Sequence, residues 1–110
     1  MSAVHSSLAD LPGATIVFAG LADVRARRPT PEAALVQAAT LRLAAHGARV
    51  PRPDGESAEL LLYERLEADF PDRASCYARY NALLAELVSF LDALDRRRLR
   101  GLPTQLDEVG

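Results

Sequence analysis

Residues 72–101 read DRASCYARYNALLAELVSFLDALDRRRLRG, and within them Tyr77, Tyr80, Leu84, Leu87, Leu91 and Leu94 recur at steps of three and four. That spacing is the seam one α-helix uses to pack along another. Asp72 stands where a side chain caps a helix, and Gly101 stands where a left-handed residue ends one. The stretch predicts a single helix over 72–100, roughly 40 Å long at about 1.5 Å per residue. A helix of that length in a chain of 110 residues dictates an all-α architecture of shorter helices laid against it.

Moving toward the N-terminus, Pro71 enforces a break. Before it, residues 57–69 carry Leu60, Leu61, Leu62, Tyr63 and Leu66, an apolar surface wide enough to predict deep packing. Thr30-Pro31-Glu32 is the clearest helix start in the chain: a capping hydroxyl, a proline suited to the first turn and an acid that complements the helix dipole. The helix it opens is predicted to run to about His46, with Gly47 as its stop and Val50-Pro51-Arg52-Pro53-Asp54-Gly55 as an exposed loop. A first helix over 13–27 follows from Val17, Leu21 and Val24, with Gly20 on the same side, where the missing side chain lets another backbone come close. The competing reading of that segment is a short strand over 14–19, because Thr15-Ile16-Val17-Phe18 favours extended backbone. The expected fold is one domain, a compact antiparallel four-helix bundle with a long C-terminal helix. Residues 1–10 and 103–110 are expected to fray.

Composition supports this class and narrows function. Ala and Leu dominate, Ile16 is the only isoleucine and Trp is absent, so helix formers outweigh strand formers. All 13 basic side chains are arginine, a codon signature that points to a GC-rich, bacterial source. The net charge of -2 gives no global field to recruit nucleic acid or an anionic membrane. Cys76 is the only cysteine, which excludes an intrachain disulfide and a clustered-thiol zinc site and fits a reducing cytoplasm. No segment reaches the roughly 20 apolar residues that span a bilayer, and residues 1–7 lack the pattern of an export signal.

Few residues carry chemistry. Arg96, Arg97, Arg98 and Arg100 form the densest charge feature; guanidinium forks suit phosphate, while the macrodipole favours cations at a helix C-terminus and Asp92 and Asp95 stand at pairing distance along the helix. His46, one turn after Arg42, reads as a helix-end or partly buried histidine. Cys76, Leu83 and Phe90 repeat beside the main seam, which makes Cys76 a small core residue rather than a nucleophile. Glu64, Glu67, Asp69 and Asp72 crowd one helix junction, where Arg65 and Arg73 offer surface pairing. Tyr77 and Tyr80 place hydroxyls in the seam, with Asn81 beside them as a hydrogen-bond partner or register residue.

No catalytic, cofactor or metal-ligating set emerges. The leading expectation is a non-enzymatic interaction or assembly module, a homo-oligomer or protein binder using Tyr77, Tyr80, Leu84, Leu87, Leu91 and Leu94. The alternatives are a small nucleic-acid-binding or regulatory protein using Arg96, Arg97, Arg98 and Arg100, and a bundle enzyme or ligand carrier with a pocket near Tyr77, Tyr80 and Cys76.

Overall fold

The structure is a computed structural model and describes residues 8–53, 55 and 57–106. Its elements are α1 (Ala14–Arg25), α2 (Pro31–Gln37), α3 (Thr40–Ala44), α4 (Ala58–Asp69) and α5 (Arg73–Leu99). Among the described residues there is no strand, so the 14–19 segment is helical.

The local signals determine most of these ends. Thr30, Ser57 and Asp72 each accept the amide hydrogen of the residue three positions on, at 3.1, 3.1 and 2.9 Å, and so cap α2, α4 and α5. α5 closes as a Schellman stop: Leu102 N–H donates to the Arg97 carbonyl at 2.9 Å, Gly101 N–H to that of Arg98 at 3.0 Å, and Gly101 sits at φ 74. α1 ends with the same bond pattern, from Arg28 N–H to Asp23 and Arg27 N–H to Val24. There, however, the left-handed residue is Arg27, at φ 58, the only non-glycine in that region among the described residues. A side chain in this conformation costs about 1 kcal/mol relative to glycine.

One expected helix is two. The 30–46 segment breaks at Ala38–Ala39, where Ala38 N–H is shared between Ala34 and Leu35 carbonyls and Ala39 leaves helical geometry at φ -117, ψ 32. Two side chains hold the break: Thr40 Oγ1 donates to the Gln37 carbonyl at 2.9 Å, and Gln37 Nε2 donates to the Pro51 carbonyl at 3.2 Å. The four helices expected over 13–100 are therefore five among the described residues.

Packing reverses a second expectation. α2 is the central helix, with Ala33, Ala34, Leu35 and Val36 all buried and with α1, α4 and α5 around it. α4, expected to be deeply packed, buries only Ala58, Leu62 and Leu66 and leaves Leu60 49% exposed. Gly20 allows the α1–α2 contact, because a Cβ there would lie 2.4 Å from the Glu32 carbonyl oxygen and 2.7 Å from Val36 Cγ1. α5 closes the core with Leu83, Leu87, Phe90, Leu91 and Leu94, and Phe90 meets Phe18 edge to face at 5.8 Å.

The molecule is 43 Å along its longest axis, about the length of α5. The far end of α5 is covered on one side within the chain, while Leu99 stays 87% exposed. Residues 102–106 turn back, Leu106 N–H donates to the His46 carbonyl at 2.7 Å, and Leu106 is fully buried. Leu8 is fully buried too. Of the tails expected to fray, 1–7 and 107–110 lie outside the described residues, whereas Leu8 and Leu106 belong to the core.

Candidate functional site

α5 has two faces of opposite character. Its inner arc, Cys76, Leu83, Leu87, Phe90, Leu91 and Leu94, is buried in the chain's own core. Of the seam expected from the sequence, Leu87, Leu91 and Leu94 belong to this arc, Tyr80 and Leu84 pack against its edge, and Tyr77 is 57% exposed. The buried line thus runs through Cys76, Leu83 and Phe90, the row expected to lie beside the seam.

The outer arc is unusual. Between Arg73 and Asp92, every exposed position of α5 is uncharged: Ala74, Ala78, Ala82 and Ala85, flanked by Tyr77, Val88, Asn81 and two serines, while the two charged residues of the interval, Arg79 and Glu86, are half-buried. At about 100° per residue these side chains share one face, opposite the core. A solvent-facing helix surface normally carries charge, and a quarter of this chain is charged. Small side chains also let a neighbouring helix approach toward the short end of the usual 8–10 Å range.

Aromatic and aliphatic groups border this face at both ends. Tyr77 stacks on Tyr80 with ring centroids 6.4 Å apart, and Tyr80 meets Tyr63 edge to face at 5.6 Å. Partial desolvation, with Cys76 and Glu67 nearby, raises the Tyr63 phenol above its ordinary pKa. Toward the other end, Val88 and Leu41, 48% and 71% exposed, border a cleft of about 560 Å³ between the α2–α3 break and α5. That cleft exists because the chain breaks at Ala38–Ala39 instead of continuing as one helix.

The titratable groups build a different structure. His46 is 2% exposed, and both ring nitrogens are bound: Nε2 to Asp95 Oδ1 at 3.1 Å, Nδ1 to Thr104 Oγ1 at 2.8 Å. A carboxylate only accepts, so Nε2 carries hydrogen, and in the neutral ring Nδ1 accepts from the threonine hydroxyl. Arg42 Nη2 bridges Asp95 at 2.7 Å and Asp92 at 3.2 Å. The His46 hydrogen bond, then that of Arg42, holds the Asp95 carboxyl below the usual range, and Asp95 in turn raises Arg42. The cluster ties α3, α5 and the returning segment 102–106 together.

The same end consumes half of the arginine run. Arg98 Nη2 donates to the Ala45 carbonyl at 2.6 Å and Arg97 Nε to the Pro103 carbonyl at 3.1 Å, while Arg96 and Arg100 face solvent. Asp92 and Asp95 pair with Arg42 instead of with this run. At the α4–α5 junction, Asp72 caps α5 and its carboxyl is lowered by the Ser75 amide and hydroxyl. Cys76 is buried. Among the described residues no set of three His, Cys, Asp or Glu side chains is placed to hold a metal, and no helix is long and apolar enough to cross a membrane.

Reasoning from periodicity weighed the apolar residues of α5 and passed over the alanines. The signal was present as Ala74-x-x-x-Ala78-x-x-x-Ala82, a row of small residues without a charge between Arg73 and Arg79 or between Arg79 and Glu86. No family model matches the chain, and comparison with curated proteins and solved structures finds no match either.

Proposed function

We propose that the protein is a non-enzymatic assembly module that pairs with a second copy of itself through the outer face of α5. The observation that carries this reading is the uncharged exposed surface between Arg73 and Asp92. The leucines first expected at the interface are needed by the core, so the contact passes to the opposite side of the same helix, and Tyr77 alone is common to both expectations.

A second copy fits this surface better than an arbitrary partner because the face is self-complementary. When two α5 helices cross antiparallel about a two-fold axis near Ala82, Tyr77 of one lies level with the partner's Val88. Arg73 then lies level with the partner's Asp92. Tyr77 and Val88 fall on the same flank of the helix, so each tyrosine reaches the cleft beside Leu41 of the other copy. Arg73 has no ion pair among the described residues, and Asp92 has only its 3.2 Å contact with Arg42. Exposed tyrosine with a small-residue neighbourhood is the composition of an interface anchor.

Light scattering over a concentration series, with circular dichroism as a folding control, tests the pairing. The wild type is expected to dimerise, and Ala82→Arg and Tyr77→Glu to give folded monomers. Arg73→Glu and Asp92→Arg should each weaken the dimer and the double variant should recover it, because the exchange restores the cross-pair in that register. A wild type that stays monomeric at every concentration overturns the reading, as does a dimer indifferent to Ala82→Arg.

A further inference from the structure

Away from α5, three arginines, the adjacent Arg27 and Arg28 and the distant Arg65, line one cavity. It has a volume of about 260 Å³ and lies where α1 ends, α2 begins and α4 crosses. Arg27, Arg28 and Arg65 line it together with Val24, Pro29 and Pro51, and no carboxylate does.

Each guanidinium is held differently. Arg28 lays Nε and Nη2 on Asp23 Oδ1, both at 2.8 Å, and Asp23 is itself fixed by the Thr30 hydroxyl, which donates to Oδ2 at 2.6 Å. Arg65 reaches from α4 to donate Nη1–H to the Thr30 carbonyl at 2.8 Å, which leaves the rest of its fork free. The Arg27 side chain makes no hydrogen bond or ion pair among the described residues, yet the residue occupies the left-handed position at φ 58 where glycine is preferred. The fold gains nothing visible from an arginine at this place. A side chain kept in a disfavoured conformation without a structural partner is the kind of cost that accompanies binding sites.

We propose that this cavity binds a small phosphate-bearing molecule, a phosphomonoester or inorganic phosphate, between Arg27, Arg28 and Arg65. Planar forks match phosphate oxygens in pairs, and three guanidiniums lining one small cavity suit the three terminal oxygens of a phosphomonoester better than the two of a carboxylate. Asp23 compensates Arg28 and leaves Arg27 and Arg65 to balance a dianion. The volume falls just under the roughly 300–1,000 Å³ typical of drug-sized ligands, so it admits a phosphate and a short body. Val24, Pro29 and Pro51 give that body an apolar wall.

The test is titration calorimetry and thermal melting with inorganic phosphate, pyrophosphate and glycerol phosphate, with acetate as the control anion, at matched ionic strength. The wild type is expected to bind phosphates and to melt higher in their presence, with no response to acetate. Arg65→Gln and Arg27→Gly should each weaken binding at least about ten-fold, while Arg100→Gln, at an exposed position remote in sequence, leaves it unchanged. Without phosphate, Arg27→Gly should melt at the same temperature as the wild type or up to about 5 °C higher, which separates loss of a ligand contact from loss of the fold. Glycerol phosphate binding more tightly than inorganic phosphate identifies an esterified ligand, and the reverse order identifies the free oxyanion. No response to any soluble phosphate, equal weakening by Arg100→Gln, or binding seen only with phosphoinositide vesicles or a polynucleotide would each overturn the proposal.

Discussion

The inner and outer faces of α5 are built from the same helix and the same neighbouring sequence, yet one is a wall of Leu and Phe and the other a strip of Ala, Ser and Asn closed by Tyr77 and Val88. The inner face answers to packing: each side chain there has a fixed volume to fill, and removing atoms leaves a hole. The alanines of the outer face are exposed and fill no such volume. The difference teaches that a heptad-like seam identifies a helix that packs, while the identity of the packed arc depends on residues to either side of the seam. The strongest way to test the division is Phe90→Ala. Phe90 is fully buried and in contact with Phe18, so truncation should cost about 3–5 kcal/mol, measured by denaturant unfolding.

A sharper cut comes from two adjacent leucines. Leu83 is fully buried, whereas Leu84, which belongs to the regular seam, is only partly so. Leu83→Ala should cost about 2–5 kcal/mol and Leu84→Ala about 1 kcal/mol. Equal losses would mean that the buried arc is centred on the seam and that the rotation described for α5 is wrong. On the outer face, Ala82→Arg should change the stability of the isolated monomer by no more than about 0.5 kcal/mol, since the new side chain meets only water. A large loss of monomer stability would show that the outer face is covered by the chain itself.

Which parts of this could be read in advance follows the reach of the forces involved. The starts at Thr30, Ser57 and Asp72 and the stops at Gly47 and Gly101 are local chemistry, a side chain reaching three residues or a glycine turning left, and they were legible. The break at Ala38–Ala39 was not. Alanines favour helix, no proline or glycine marks the place, and the interruption depends on Gln37 reaching Pro51, a contact between residues far apart in the chain. Leu106 was illegible for the same reason: a short polar tail gave no sign that its one leucine enters the core beside His46. Arg27 closes the first expected helix and Arg28 opens the stretch that starts the second, and nothing in one dimension places Arg65 beside them. The uncharged outer face of α5 differs from these, because its pattern was present in the sequence and an apolar count ignores alanine.

A third region of α5, its last polar turns, contributes the smallest effect and yields a prediction in pH. His46 Nε2–H and then Arg42 stabilise the ionised Asp95 carboxyl, against a partial desolvation penalty, so its pKa in the folded protein lies below the unfolded value near 4. A carboxyl lowered on folding adds stability that is fully present above the unfolded pKa and is lost as pH falls through the folded one. Stability should therefore decline below about pH 4, with Asp23 and Asp72, lowered by hydrogen bonds from Thr30 and Ser75, sharing in the decline. Asp95 is 52% exposed, so solvent screening keeps its share under about 1 kcal/mol. In Asp95→Asn the amide oxygen still accepts from His46 but the charge is gone. Urea melts at a series of pH values should show the variant slightly less stable than the wild type at neutral pH and the gap closing as pH falls from about 4 to 2. High salt should narrow the same gap at neutral pH, because half-exposed charges are the ones that salt screens. A gap constant across that pH range and indifferent to salt would mean that Asp95 acts through hydrogen-bond geometry alone, and that this end of α5 is held as the inner face is, by fit rather than by charge.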